Sequence, residues 1–452
     1  MNAMLQPRFA AKVHHPARPA RRWYFDREAE TMPRERLARL QLRRLKATLK
    51  NAYENVSLHR ARMDAARVRP RDVRSLEDLR HLRFTLKTDL RDHYPFGMFA
   101  RPRARLARLH ASSGTTGKPT VVGYTLKDLD TWTDLMARSF GCAGTRPGDV
   151  VHNAYGYGLF TGGLGAHYGA ERLGATVVPV SGGATERQVA LLLDFDARVL
   201  CCTPSYALNI AEVAEREGVD LRRSRLEIGM FGAEPWSEAM RREIESRLGL
   251  KALDVYGLSE IMGPGVAVEC EAQDGLHGWE DHFLFEVIDP DSGKPLPEGE
   301  AGELAITTLT KQALPMIRYR TRDITRLTRE RCACGRTHLR LKRITGRNDD
   351  MLIIRGVNVY PSQIEAVLIG LPGVAPHYQI VVERKGSLDE LTVEVEASSP
   401  MQAILEEIER RACHQIKSMI GITAAVVAKK PGEVPRSQGK AVRVRDLRPK
   451  GS

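Results

Sequence analysis

The chain has 452 residues, of which 42% are hydrophobic and 28% charged, with a formal net charge of +13. That length exceeds one ordinary core and implies two or three domains, in a composition normal for a soluble globular enzyme. Three classes are set aside at once. No run of 18 apolar residues exists for a transmembrane helix, no apolar signal segment opens the chain, and seven cysteines including a C-x-C pair read as cytosolic thiols, some metal-bound, rather than a disulfide framework.

In chain order, residues 1–34 read as an irregular basic arm and residues 34–65 as helical. Residues 1–100 hold 23 Lys/Arg against 11 Asp/Glu, so +12 of the net +13 lies in this first stretch. A nucleic-acid binder would interleave its basic residues with aromatics, and Trp23, Tyr24 and Phe25 are the one cluster. The run Arg36-Leu37-Ala38-Arg39-Leu40-Gln41-Leu42-Arg43-Arg44-Leu45 instead spaces its charges as the solvated face of an amphipathic helix. No nucleic-acid partner and no membrane partner is expected.

Between about 100 and 330, apolar runs alternate with helical patterns. Val150-Val151-His152-Asn153, Ala175 to Val180 and Ala197 to Cys202 are each followed by a turn signal and a helix-period segment, the pattern of a parallel or mixed sheet covered by helices. Phe283 to Ile288 and Gly302 to Thr307 alternate as antiparallel strands. The predicted fold class is α/β. It comprises a large N-terminal domain over 1–345 with mixed sheets flanked by helices, a polar link at 346–349, and a small α+β domain over 350–452.

Ser112-Ser113-Gly114-Thr115-Thr116-Gly117-Lys118-Pro119-Thr120 is built to approach a phosphate: glycines admit close backbone contact, and hydroxyls plus a lysine supply donors. It is not a Walker A loop, which needs four residues between its first Gly and the Gly-Lys pair. Here there are two, and Pro119 disfavours helix at Lys118. Further along come Tyr256-Gly257-Leu258-Ser259-Glu260, Tyr319-Arg320-Thr321-Arg322-Asp323, Gly346-Arg347-Asn348-Asp349-Asp350 and Pro435-Arg436-Ser437-Gln438-Gly439-Lys440. These five motifs, in this order, resemble the adenylate-forming superfamily of acyl- and aryl-CoA synthetases, luciferases and adenylation domains. Phe231-Gly232-Ala233-Glu234-Pro235-Trp236 and Arg355-Gly356-Val357-Asn358-Val359-Tyr360-Pro361 resemble its phenylacetate–CoA ligase branch, over about residues 35–448.

That resemblance implies ATP-dependent activation of an aromatic carboxylic acid as an acyl-adenylate, then transfer to CoA. It assigns ATP binding to Ser113, Thr115, Thr116, Lys118, Gly232, Ala233, Glu234, Pro235, Asp254, Tyr256, Gly257, Ser259, Asp323 and Arg347. Within that set Thr115, Thr116 and Lys118 hold the terminal phosphates, Tyr256 stacks on adenine, and Asp323 accepts from the ribose. Catalysis falls to Lys440 and to Glu260, the latter as a Mg²⁺ ligand. The acid pocket falls to Tyr155, Tyr157, Phe160 and Gly232; no Lys or Arg there would meet a second carboxylate. Asp349 is the implied hinge of a mobile C-terminal domain, and a homodimer is implied. A carrier-protein thiol, or nitrite activation to diazotise an aryl amine, would leave the same motifs. Finally, Cys332-Ala333-Cys334-Gly335 with Cys270 and His277 offers three thiolates and one imidazole, a donor set for structural Zn²⁺; His338 and His282 are reserves, and scattered free thiols the alternative.

Overall fold

The structure, a computed structural model, describes residues 23–111, 119–347, 350–354, 357–385, 388–436 and 441–448. The helix Arg34–Asn55 buries Leu37, Gln41, Leu45, Thr48, Leu49 and Ala52 at helical spacing, while Arg36, Arg39 and Arg43 stay exposed. At Val56 the backbone turns extended before a second helix, Ser57–Ala65. Residues 23–33, read from sequence as part of an irregular arm, are held against residues 334–338. They carry the short helix Arg27–Glu30, capped by Asp26. Tyr24 Oη donates to Cys334 O at 2.9 Å, and Arg336 donates to Glu30 Oε2 at 2.7 Å and to Trp23 O at 3.1 Å. Trp23 is thus spent on packing rather than displayed to a ligand: a Cβ on Gly141 would lie 2.3 Å from its ring.

Among the described residues the largest sheet has nine strands. Thr176–Val178, Val150–Asn153, Val199–Cys202, Ile228–Gly232 and Lys251–Leu258 run parallel in that spatial order. Parallel strands are covered on both faces, and Val199, Leu200, Cys201 and Cys202 are all essentially inaccessible. The sheet then turns antiparallel through Gly263–Glu269 and Leu276–Gly278. A second sheet pairs Phe283–Ile288, Gly302–Thr308 and Tyr319–Thr325 antiparallel, as the alternation predicts. Its edge holds a difference from the sequence reading. Gly346–Arg347, expected as a polar link, is a short strand that sets Arg347 opposite Asp323.

The C-terminal residues build a separate core. Ile364, Ile380, Val382, Val393, Val395, Ala412 and Ile416 are fully buried, and every member of that cluster lies between Leu352 and Val444. Each of these Ile and Val side chains contributes about 1.5–3 kcal/mol relative to exposure, so this small α+β unit has its own source of stability. No helix among the described residues is long and apolar enough to cross a membrane.

Candidate functional site

Ligands of open α/β sheets bind in the crevice beyond the carboxyl ends of the strands, and described motif residues from two neighbouring strands meet there. The neighbouring strands Ile228–Gly232 and Lys251–Leu258 end at the Gly232-Ala233-Glu234-Pro235 turn and at Tyr256-Gly257-Leu258-Ser259-Glu260. Two of these glycines are obligatory on steric grounds. A Cβ on Gly232 would stand 2.1 Å from Val255 O, and one on Gly257 would stand 2.0 Å from Gly263 O.

The second sheet closes the crevice. Tyr256 Oη donates to Asp323 Oδ2 at 2.6 Å, and Arg347 Nε stands 3.7 Å from Asp323 Oδ1. Burial, then the adjacent Asp323 charge, pushes the Tyr256 phenol well above its usual range, so it stays a donor. Glu260 is 6% exposed. Tyr319 Oη donates to its Oε1 at 3.3 Å and Lys87 Nζ lies 3.6 Å away. Ser259 Oγ meets Thr161 Oγ1 at 3.2 Å.

Two lysines at this corner were missed from the sequence. Lys87 pairs with Glu260 from the helix Lys87–Asp92. Lys311 is buried: its ammonium donates to Glu260 O at 3.2 Å and Ser259 O at 3.4 Å, and stands 4.7 Å over the Tyr124 ring. Burial lowers its pKa to about 8. Neither belongs to a recognisable motif; each reaches Glu260 through tertiary packing alone.

Asp254 sits two residues before Tyr256, in a buried charged group. Its N–H donates to Glu269 Oε2 at 2.9 Å, and Glu269 pairs with Arg241 at 2.8 Å. Burial, then the Glu269 charge, raises the Asp254 carboxyl. Glu234 directs both carboxylate oxygens at backbone, accepting from Ser205 N at 2.8 Å and from Ala441 N at 2.7 Å. Ala233 and Pro235 beside it are exposed.

The four residues read as the acid pocket hold different positions. Tyr155 is 6% exposed and donates to Met230 O at 3.2 Å, anchoring it in the core. Tyr157 receives Asn153 Nδ2 at 2.8 Å and meets His167 Nδ1 at 3.1 Å, while His167 Nε2 faces Glu171 at 3.1 Å. Phe160 is 45% exposed, at the N-cap position of the helix Thr161–Leu173. Gly232 lies on the adjoining strand end. Ser113, Thr115, Thr116, Lys118, Asp349 and Lys440 lie outside the described residues.

At the far end of the hairpin Lys251–Leu258/Gly263–Glu269, donor atoms of Cys270, His277, Cys332 and Cys334 all lie within 4.8 Å of one another. Cys270 Sγ is 3.6 Å from Cys332 Sγ, and Cys334 Sγ is 3.3 Å from His277 Nε2. Tetrahedral zinc about 2.3 Å from each sulfur wants sulfurs just under about 4 Å apart, so the donor set and spacing fit that ion. The two reserve histidines are engaged elsewhere: His338 with Gly278 O and Ala29 O, His282 with Thr310 and Asp281.

Residues 41–310 match the AMP-binding enzyme family, and residues 356–448 match the AMP-binding enzyme C-terminal domain. The chain belongs to the AMP-binding enzyme family. It is 56% identical over 439 residues to the phenylacetate-coenzyme A ligase of Thermus thermophilus, covering 93% of this chain and 99% of that one. Among solved structures, 2-hydroxyisobutyryl-CoA ligase in its postadenylation state with 2-HIB-AMP superposes with a TM-score of 0.89 at 33% identity, covering 96% and 94% of the two chains. The same ligase in its thioesterification state, with 2-HIB-AMP and CoA, gives 0.71 at 34% identity, covering 95% and 94%. The adenylate-forming fold expected from the five motifs is the fold observed.

Proposed function

We propose that this AMP-binding enzyme is an aryl-acid–CoA ligase. Its substrates are ATP, a phenylacetate-like acid and CoA; its products are the aryl-CoA thioester, AMP and pyrophosphate. The observation that carries the reading is the convergence of Tyr256, Asp323, Arg347 and Glu260, from three motifs, on one crevice, in a chain 56% identical to a phenylacetate-coenzyme A ligase.

In the first half-reaction a carboxylate oxygen attacks the α-phosphorus and pyrophosphate leaves. Thr115, Thr116, Lys118 and Ser113 hold phosphate oxygens, and the Lys440 ammonium offsets charge on the carboxylate and α-phosphate. Glu260, rigid between Tyr319 and the Lys311-anchored backbone, would hold Mg²⁺, which neutralises phosphate charge when bound. Tyr256 lies along adenine. Asp323, already aligned by Tyr256 and Arg347, accepts from the ribose. Ala233, Pro235, Gly257 and Ser259 border the nucleotide, and Gly232 leaves room beside the acid. In the second half-reaction the CoA thiol attacks the acyl carbon and expels AMP. The small unit, 350–452, turns about Asp349 against residues 1–345 between the two steps. Tyr155, Tyr157 and Phe160 enclose the ring; the stretch that bears them offers no Lys or Arg, which suits a ring with neutral or weakly polar substituents.

Cys270, His277, Cys332 and Cys334 would hold Zn²⁺ with no open position, so its work is structural. The protein works in the cytoplasm as a homodimer. A pyrophosphate-release screen over aryl acids, with and without CoA and with nitrite as a separate co-substrate, tests the function. Thioester formation from phenylacetate or a near analogue is the expected result. Pyrophosphate release without thioester moves the assignment to another acceptor, and no release with any aryl acid removes it.

A further inference from the structure

A cleft of about 220 Å³ runs between the helix Pro204–Arg216 of the large unit and the small unit, lined by Ser205, Asn209, His377, Arg436 and Ala441 among others. On one wall the Arg436 guanidinium lies between carboxylates of opposite units. Its Nη2 donates to Glu212 Oε1 at 2.6 Å, and its Nε to Glu212 Oε2 at 2.9 Å. It also donates to Glu396, through Nη1 to Oε2 and through Nη2 to Oε1, both at 2.7 Å. His377 Nε2 stands 3.1 Å from Glu212 Oε2. On the other wall Glu234 holds Ala441 N at 2.7 Å while also holding Ser205 N.

These bonds divide by what a rotation of the small unit would do to them. Arg436–Glu396 lies inside the small unit and would survive. Glu212–Arg436 and Glu234–Ala441 cross between units and would be broken. Arg436 and Ala441 flank Lys440 in sequence on its two sides. Both carboxylates therefore hold the chain next to the lysine. The arrangement is nearer to the postadenylation state of the 2-hydroxyisobutyryl-CoA ligase than to its thioesterification state, at TM-scores of 0.89 and 0.71. A contact shifts a conformational equilibrium only by the difference in its strength between the two states. A bidentate charge-assisted pair present in one state and absent in the other is such a contact.

We propose that Glu212 and Glu234 are positioning residues for the first half-reaction: they clamp the chain on both sides of Lys440 to the large unit and release it before thioester formation. The proposal rests on the two-step reading above for what the clamp is used for. Glu212 belongs to no sequence motif, and its partner lies more than two hundred residues away.

The test uses the full-length enzyme carrying Glu212→Gln, Glu212→Asp or Glu212→Arg. The Glu212 side chain is 36% exposed, and unchanged melting temperatures would verify that each variant folds. ATP–pyrophosphate exchange with phenylacetate reads the first half-reaction; thioester formation from supplied phenylacetyl adenylate and CoA reads the second. Glu212→Gln should slow exchange about tenfold, the scale of one lost charge-assisted bond, and leave the second step equal or faster. Glu212→Asp should recover part of the loss. Equal loss in both steps, or no loss in either, overturns the proposal. Small-angle scattering without substrate supplies a readout independent of activity. Glu212→Arg faces Arg436 and His377 and should shift the profile away from the present arrangement, and an unchanged profile overturns the clamp. A wild-type enzyme inert towards every aryl acid would remove the proposed substrate class, while the scattering comparison would still decide the clamp.

Discussion

The hairpin formed by Lys251–Leu258 and Gly263–Glu269 carries a cluster of functional groups at each end, and the two clusters are built in opposite ways. At one end Cys270 joins His277, Cys332 and Cys334, all within 4.8 Å and three of the four buried. These donors complete one another, and the segment Trp23–Thr31 closes over them through Tyr24, Glu30 and Arg336. At the other end Tyr256 and Glu260 meet Asp323, Arg347, Tyr319 and Lys87 from three further segments. A closed set of four ligands leaves no position for a substrate and can only hold shape. A crevice assembled from several segments and two units can change composition when one unit moves. Stability should therefore track the first end, and turnover the second.

The largest effect should come from Lys440→Ala. It should lower acyl-adenylate formation about a thousandfold, the scale of a lost transition-state charge contact. Thioester formation from supplied adenylate and the melting temperature should be retained. Equal loss of both half-reactions would take Lys440 out of its assigned step. Next, Asp323→Ala should raise the KM for ATP about tenfold to a hundredfold through a lost charged hydrogen bond, with the KM for the acid unchanged. An unchanged ATP KM would remove Asp323 from the nucleotide site. At the opposite end, Cys332→Ser should drop bound zinc from near one per chain to near none and lower the melting temperature by several degrees, while both KM values hold. Wild-type protein purified free of zinc, with all four cysteine and histidine donors reactive, would make the cluster a thiol group instead. The smallest change is expected for Tyr157→Phe, which frees Asn153 and His167 of a shared partner. It should raise the KM for the acid a fewfold and leave that for ATP alone; the reverse pattern would remove Tyr157 from the acid pocket.

Much of this contrast was legible before any coordinates. Cysteine and histidine carry their chemistry in their identity, so Cys270, His277, Cys332 and Cys334 could be grouped although two short segments supply them. The alternating runs at 283–288 and 302–307 announced their pairing because strand periodicity is local. The charged stripe of Arg36, Arg39 and Arg43 announced a solvated helix face for the same reason. Other residues carried no such mark. Lys311 looks like a surface lysine in sequence, yet the turn bearing it folds beneath Glu260. Glu234, grouped with the ATP-binding residues, spends its carboxylate on two backbone amides from distant segments. Gly346–Arg347 reads as linker and becomes a sheet edge only because Tyr319–Thr325 lies beside it.

The sequence by itself determined the α/β alternation, the order of the motifs that resemble the adenylate-forming superfamily and the donor chemistry of the cysteine corner, because periodicity, spacing and ligand type are properties of neighbouring residues. The tertiary structure alone decided which carboxylate answers which cation: Glu260 with Lys87, Asp323 with Arg347, Glu212 with Arg436. Charge attraction is not selective by itself, and many acid–base pairs could be drawn on this chain. Burial and chain path bring particular groups within hydrogen-bonding distance, and at that distance desolvation makes an unpaired charge costly enough to enforce the pairing.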